Sequence, residues 1–279
     1  MPQLFGILPV VIILFISNLL EAREYKWGLL APNNQEEESR KWESLSKFIF
    51  NEKGDTVKFV PFPSEQELGS AVNAHQIDLV VLRPHEYLGL NINRQLQAIS
   101  SFVFNGQTHH FSHFVVNGKS SAKTLLDLKG KRLGLGRPSS ASSHKIPTAE
   151  LKKLGIKPSK FFKSVREGLS HSDLELGVAR GELDVASNSS INRDSLIQDG
   201  KVKASDTRII WTSEPLANEL LVGGSQFLES AEGKKAVGRI QILFNEKSSL
   251  SDRPSLPSPW TGLAPVSKAV IDHARKTPQ

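Results

Sequence analysis

The stretch from Tyr25 to Leu82 switches repeatedly between two hydrophobic periods, and no other feature of the chain limits its fold as tightly. Tyr25 to Ala31 reads as a strand that stops at Pro32. Asn33 or Asn34 can cap the helix that follows, and Glu36, Glu37 and Glu38 suit its positive end. Trp42, Leu45, Phe48 and Ile49 recur at helical spacing on one face. Thr56 to Phe62 is again a strand. Ser64-Glu65-Gln66-Glu67 has the form of a capping box, with Leu68, Ala71 and Val72 on one face beyond it. Ile77 to Leu82 is an apolar run, as a strand covered on both faces would be. Strand, helix, strand, helix, strand in this order implies a parallel sheet.

A second unit repeats the alternation. Phe111 to Asn117 and Lys131 to Leu135 are strand candidates. Thr148 to Leu154 is a short helix stopped by Gly155, and Phe161 to Val165 is another strand. Ser172-Asp173-Leu174-Glu175 is a second capping box, opening a helix that runs to Arg180. Leu183 to Ala186, Arg208 to Thr212 and Glu219 to Val222 read as strands. Ala236, Val237, Ile240, Leu243 and Phe244 then stripe a helix, and Ser248 to Pro259 is a Ser- and Pro-rich loop. The fold class is α/β, with two Rossmann-like lobes of roughly a hundred residues each. A ligand cleft is expected between them, because ligands favour domain interfaces and the carboxyl ends of parallel strands.

Ahead of the first strand, Leu4 to Ile16 is almost wholly apolar. It is shorter than the roughly 20 residues that a membrane span needs. It fits the apolar region of a signal peptide cleaved after Ala22, with an uncleaved anchor ending near Leu20 as the alternative. The chain holds no cysteine, which excludes disulfides, thiolate metal sites, a cysteine nucleophile and lipid attachment through an N-terminal cysteine. The formal charge of +6 admits nucleic acid, anionic membrane or small anions as partners and selects none of them.

The segment that carries chemistry is Arg132 to Pro147, RLGLGRPSSASSHKIP. A strand delivers Gly136, Arg137 and Pro138. Ser139, Ser140, Ala141, Ser142 and Ser143 follow, just before a helix. Helix N-termini present free N–H groups and a partial positive charge, and hydroxyls there add donors. Such a turn is a natural oxyanion cradle, and neutral donors also let the anion leave again. A polar loop that merely caps the helix is the plainer reading of the same residues.

Around this loop the sequence resembles the phosphate/phosphite/phosphonate-binding family of periplasmic solute-binding proteins of ABC importers. The resemblance runs in order through most of the chain. Trp27-Gly28-Leu29-Leu30-Ala31-Pro32 is similar to the family's opening strand, and Gln76-Ile77-Asp78-Leu79-Val80 with Pro84 and Tyr87 to its "G-x-I-D-V-A…P…Y" segment. Leu125 to Arg132 resembles "s-l-x-D-L-K-G-K-r", and Ser140-Ala141-Ser142-Ser143 with Pro147 sits where the family has "S-T-S-G…P". Phe162 and His171 match a downstream Phe and a "g-s-H" element. Val178 with Gly181 to Ala186 resembles "V-x-x-G-e-v-D-a-a", and Arg208 to Ser213 the closing "r-i-i-w-x-S".

The resemblance implies a bilobal, type II periplasmic-binding-protein-like fold whose lobes, joined by two crossings, close on a tetrahedral oxyanion. The expected division is a signal peptide over 1–22, a first lobe over 23–110, a second lobe over 111–206 and a return to the first lobe over 207–279. Ser140 and Ser142 would donate to the oxyanion through hydroxyl and backbone N–H, with Ser139, Ala141 and Ser143 on the same turn. Ala141 stands in place of the family's Thr, and Ser143 in place of its Gly. Tyr87 would reach in from the first lobe, and His171 would approach from the second. Glu219 stands near the place of a carboxylate that holds the amine of aminoalkylphosphonates, while Ile191 occupies the place of another, which disfavours such a ligand. The implied partners are a small oxyanion of the phosphonate, phosphite or phosphate class and an inner-membrane ABC permease. No nucleic acid, cofactor, metal or catalytic residue is expected, and a periplasmic monomer is.

Other features have ordinary readings. His109, His110 and His113 could bind zinc from a helix face, but Phe111, Val115 and Val116 give the segment a strand pattern. The resemblance places it at the first crossing, where His110 or His113 could touch ligand. Gly134-Leu135-Gly136 lacks the third glycine of a dinucleotide loop. Ser140, His171 and Asp184 could be drawn as a hydrolase triad, without a G-x-S-x-G elbow to support it. A ligand-sensing module that signals to a membrane receptor or kinase would share fold and pocket with a transport component. A secreted phosphoester hydrolase ranks below both.

Overall fold

The computed structural model describes residues 23–30, 35–52, 54–91, 93–245 and 251–276. The proposed signal segment over 1–22, the end of the first strand at Ala31-Pro32 and the caps Asn33 and Asn34 lie outside the described residues.

The expected alternation opens the fold. Strand β1 (Glu24–Leu30), helix α1 (Gln35–Ile49), β2 (Thr56–Phe62), α2 (Glu65–Asn73) and β3 (Leu79–Leu82) follow in order, and β1 pairs in parallel with both β2 and β3. Side chains alternate along β1. Trp27, fully buried, stacks on Trp42 of α1 at 6.0 Å between ring centres, and Tyr25 stacks on Phe50 at 4.0 Å. Gly28 faces the other side, where a Cβ would come within 3.3 Å of Ile77. Each large side chain buried in this way stabilises the fold by about 1.5–3 kcal/mol. Ser64 caps α2 as its sequence predicts, accepting from the Glu67 N–H and donating to the Glu67 carboxylate.

Helix α3 (Pro84–Leu90) leads to β4 (Leu96–Val103), and the chain then crosses to the second sheet through the short β5 (His109–His110). That sheet is built from β6 (Ser112–Asn117), β7 (Arg132–Gly136), β8 (Ser164–Leu169), β9 (Val185–Ser189) and β10 (Thr207–Thr212), in the order β10-β6-β9-β7-β8. Its helices are α4 (Ile146–Lys153), α5 (Pro158–Phe161), α6 (His171–Ala179) and α7 (Ser190–Gln198). The chain returns through β11 (Leu216–Ala217), which pairs antiparallel with β5, so the two crossings form one ribbon. Strand β12 (Leu220–Gly224), α8 (Ser225–Glu229), α9 (Ala231–Ile242), β13 (Gly262–Pro265) and α10 (Lys268–Lys276) complete the first sheet, in the order β13-β4-β12-β3-β1-β2.

Four expectations are corrected. The second lobe does not end at 206: β10 pairs antiparallel with β6, so Thr207 to Thr212 belong to the second sheet and the return falls at β11. The strand expected over Phe161 to Val165 starts only at Ser164, because Pro158 opens the short helix α5. The cap of α6 is Ser170, accepting from the Asp173 N–H at 3.1 Å, and not Ser172. This shift places His171 at the first position of the helix and turns Glu175 into the interior. The sheets are also mixed rather than purely parallel, since β12 runs antiparallel to β3 and β4.

Candidate functional site

A cleft of about 640 Å³ lies between the two sheets. The carboxyl ends of β3, β7 and β9 open onto it, as expected for α/β sheets. One wall carries Lys41 and Trp42 of α1, Arg83 and His85 after β3, and Glu219. The facing wall carries Arg137, the serine loop, His171 and Ile191.

The serine loop folds as a five-residue π-turn, Ala141–Lys145, that runs directly into α4. Such wide turns are frequent at functional sites. Ser140 is its cap. The Ser140 Oγ accepts from the Ser143 N–H at 3.3 Å and from the Ser143 hydroxyl at 2.8 Å. With both lone pairs engaged, the Ser140 O–H is left as a donor toward the cleft. Below the turn, the Ser112 hydroxyl donates to the Ser142 carbonyl at 2.6 Å and the Ser187 hydroxyl donates to the Ser143 carbonyl at 2.5 Å. These two bonds hold the turn from the sheet side. The N–H groups of its first residues have no helical partner, as at any helix start. Ser142 is nearly buried and lines the cleft, Ala141 is half-buried and Ser139 is at the exposed rim.

Ser143 is buried beneath the turn. Its side chain tucks against Gly136 and orients Ser140. A Cβ at Gly136 would lie 1.9 Å from the Ser143 Oγ, so this position tolerates only glycine without rearrangement. Gly136→Ala is expected to destabilise the protein by about 1–3 kcal/mol through forced repacking. Urea denaturation checks it, and an unchanged midpoint would contradict the packing.

His171 stands at the start of α6 with its Nδ1 2.7 Å from Asn188 Oδ1. Asn188 Nδ2 faces two acceptors, the His171 carbonyl at 3.2 Å and the buried Glu175 carboxylate at 2.9 Å. The amide oxygen must then face the imidazole, so His171 Nδ1 donates and Nε2 is the free nitrogen. Burial pushes the His171 pKa down against the opposing Asn188 bond, and Arg137 adds to the fall. Glu175, fully buried, also accepts from the Thr207 hydroxyl at 2.6 Å and lies 3.4 Å from Arg193. That last pair is a charge contact, since Arg193 Nε has no aligned hydrogen bond.

Glu219 lines the cleft between β11 and β12. Burial, reinforced by the nearby Glu86 charge, pushes its pKa up to about 7, with Arg83 opposing. Tyr87 is not among the cleft-lining residues. Its ring packs on the apolar cluster around Leu68 and Leu82, and its hydroxyl accepts from Asn91 at 3.1 Å. Arg83 and His85 furnish that wall instead.

Arg137, like Arg83 and His85, lines the cleft without having been expected there, and His110, which the resemblance places near the ligand, lines it too. Arg137 is an exposed cation beside the serine turn, and its signal was its place between Gly136 and the serines. His110 sits on the crossing ribbon with Nδ1 3.0 Å from Asn218 Oδ1. His109, His110 and His113 lie on strands rather than on a helix face, and His113 meets Thr212. Asp184 is held by Arg132 through three bonds of 2.8–3.0 Å, which lower its pKa and leave it no place in a triad with Ser140.

A family model described as "ABC transporter, phosphonate, periplasmic substrate-binding protein" matches residues 28–250. The phosphonates-binding periplasmic protein of Escherichia coli is 30% identical over 135 residues, 47% of this chain. The match spans only 39% of that relative's length. A binding-protein component of a phosphonate transporter from Pseudomonas aeruginosa superposes with a TM-score of 0.63 at 19% identity, covering 91% of this chain and 85% of its own. A Prochlorococcus marinus protein solved with methylphosphonate gives 0.59 at 18% identity, covering 79% and 84%. At these identities the structural likeness is one of fold.

Proposed function

Since the chain belongs to the phosphonate family of periplasmic substrate-binding proteins of ABC transporters, we propose that it captures a small phosphonate-like oxyanion in the cleft and presents it to a membrane permease. The observation that carries this reading is the π-turn at Ser140. Its hydroxyl, the N–H groups of Ala141 and Ser142 at its start and the Arg137 guanidinium all serve one anion between two lobes. Ser140, Ser142 and Arg137 hold the phosphonyl oxygens, with His171 beside them. Ser139 and Ala141 shape the rim and floor, and Ser143 fixes Ser140. The β5–β11 ribbon is the hinge about which the lobes close. The place of action is the periplasm, reached by export through the segment before Arg23.

Glu219 suits a cationic substituent on the ligand. Ile191, across the cleft, offers nothing to such a group. The aminoalkyl and simple alkyl ligands are thus separated by experiment. Calorimetry with phosphate, phosphite, methylphosphonate and aminoethylphosphonate is expected to give a Kd near micromolar for one of them, about −8 kcal/mol. Absence of heat and of any thermal shift with all four would refute the reading.

A further inference from the structure

His110 and His171 share a design that oxyanion capture alone does not need. They come from different parts of the chain, the crossing ribbon and the start of α6, yet both line the same cleft. In each, Nδ1 meets an asparagine oxygen, Asn218 at 3.0 Å for His110 and Asn188 at 2.7 Å for His171. The orientation of each asparagine is fixed in turn. Asn218 Nδ2 donates to the Phe102 and Gln107 carbonyls at 3.1 and 3.0 Å, and Asn188 Nδ2 to the His171 carbonyl and Glu175. Both imidazoles therefore carry the proton on Nδ1 and leave an Nε2 lone pair without a bond to the described residues. Two neutral acceptors thus stand beside the donors of the serine turn and Arg137.

We propose that His110 and His171 act as a proton-reading pair, so that the cleft admits a tetrahedral oxyanion that carries its own proton and rejects one of the same shape that carries none. The inference rests on the oxyanion reading above and narrows it to a hydrogen phosphonate-type monoanion. A P–OH donates to an Nε2 lone pair, while the unprotonated oxygens take the Ser140, Ser142 and Arg137 donors. A sulfonate has no such proton. For it to bind, a histidine must first take one from solvent, and the surroundings resist this. Burial pulls the pKa of His110 down to about 4, with His171 and His109 adding like charge. Around His171, burial and Arg137 act in the same direction. Across the cleft stand Arg83, His85 and Glu219, and His85 is itself lowered by burial, Arg83 and Lys145. Glu219 and Glu38 are the cleft carboxylates that would favour a charged histidine. A pKa about three units below neutrality corresponds to about a thousandfold cost in population at pH 7.

The test is calorimetry of the whole protein with methylphosphonate and methanesulfonate, between pH 5 and pH 8, in two buffers of different ionisation enthalpy. Methylphosphonate is expected to bind at least a hundredfold more tightly at pH 7, and without net proton uptake where the ligand is a monoanion. Methanesulfonate is expected to gain about tenfold in affinity for each pH unit lowered, taking up about one proton. His171→Gln and His110→Gln should each shrink the preference at least tenfold. Equal affinities without proton uptake would overturn the proton-reading pair and leave the oxyanion site standing. So would an unchanged preference in both variants. Failure of methylphosphonate to bind at any pH would overturn the underlying reading as well. The proton count on the unaltered protein keeps the test decisive if a variant fails to fold.

Discussion

Ser140→Asp is expected to abolish anion binding while leaving the fold intact. Ser140 is the cap of the π-turn, and Asp ranks with Ser as a helix cap. The new carboxylate can accept from the Ser143 N–H as the hydroxyl does, and it suits the positive end of the turn. Stability should stay within about 0.5 kcal/mol. The same carboxylate then occupies the electrostatic seat that the ligand needs. Two unit charges about 4 Å apart repel by about 4 kcal/mol at an effective dielectric near 20, close to a thousandfold in affinity. Ser140→Ala removes only a donor and a cap, and should weaken binding about tenfold. Titration of both variants beside a thermal melt separates the effects. Full affinity in the Asp variant would place the anion elsewhere.

The largest loss of stability is expected from Glu175→Leu. The Glu175 carboxylate is fully buried and gathers Asn188, Thr207 and Arg193 from three different elements. Removing it leaves the Arg193 guanidinium, itself mostly buried, with the Ala204 and Thr207 carbonyls and the half-exposed Asp194 carboxylate at 3.9 Å. Breaking one side of a buried ion pair costs about 3–5 kcal/mol, because the remaining charge stays desolvated. Asn188 loses one of its anchors at the same time, so the imidazole of His171 is held less firmly. Chemical denaturation measures the first effect. A change below about 1 kcal/mol would show that water reaches Arg193 or that the site repacks.

The two predictions draw on parts of the molecule that were unequally legible in the sequence. The serine turn could be read because its chemistry is local: a strand end, five small residues and a helix start in one continuous run. Helix α2 was legible for the same reason, its cap and its apolar face being a few residues apart. Strand β4 was not anticipated. It lies between β12 and β13, so both edges are paired, and Ser100 and Ser101 sit fully buried in its middle. Neither alternation nor a continuous apolar run survives in such a strand. Glu175 was taken for the closing residue of a capping box, because Ser172 and Ser170 offer overlapping boxes in the same register of residue types. Only packing against Thr207, over 30 residues on, decides between them. Tyr87 illustrates the reverse case. The motif around it is present, but one turn of α3 carries its ring into the core and brings Arg83 and His85 to the cleft. The bond that orients His110 could not be read from sequence, since its partner Asn218 is separated from it by the whole second sheet.

The position of β12 has a consequence for assembly. It lies between β3 and β4, bonded to both, yet it is made only after every strand of the second sheet. The second sheet is one uninterrupted stretch of chain; the first is not. During synthesis, β3 and β4 must wait with their facing edges unpaired, and no pairing of the two with each other gives the native order. Closing that gap joins segments far apart in sequence, the kind of contact that slows folding most. Exposed strand edges are also the surfaces on which chains stick to one another. The inserted lobe can therefore mature early, while the lobe that starts the chain is the one finished last, by a strand slotted into its centre.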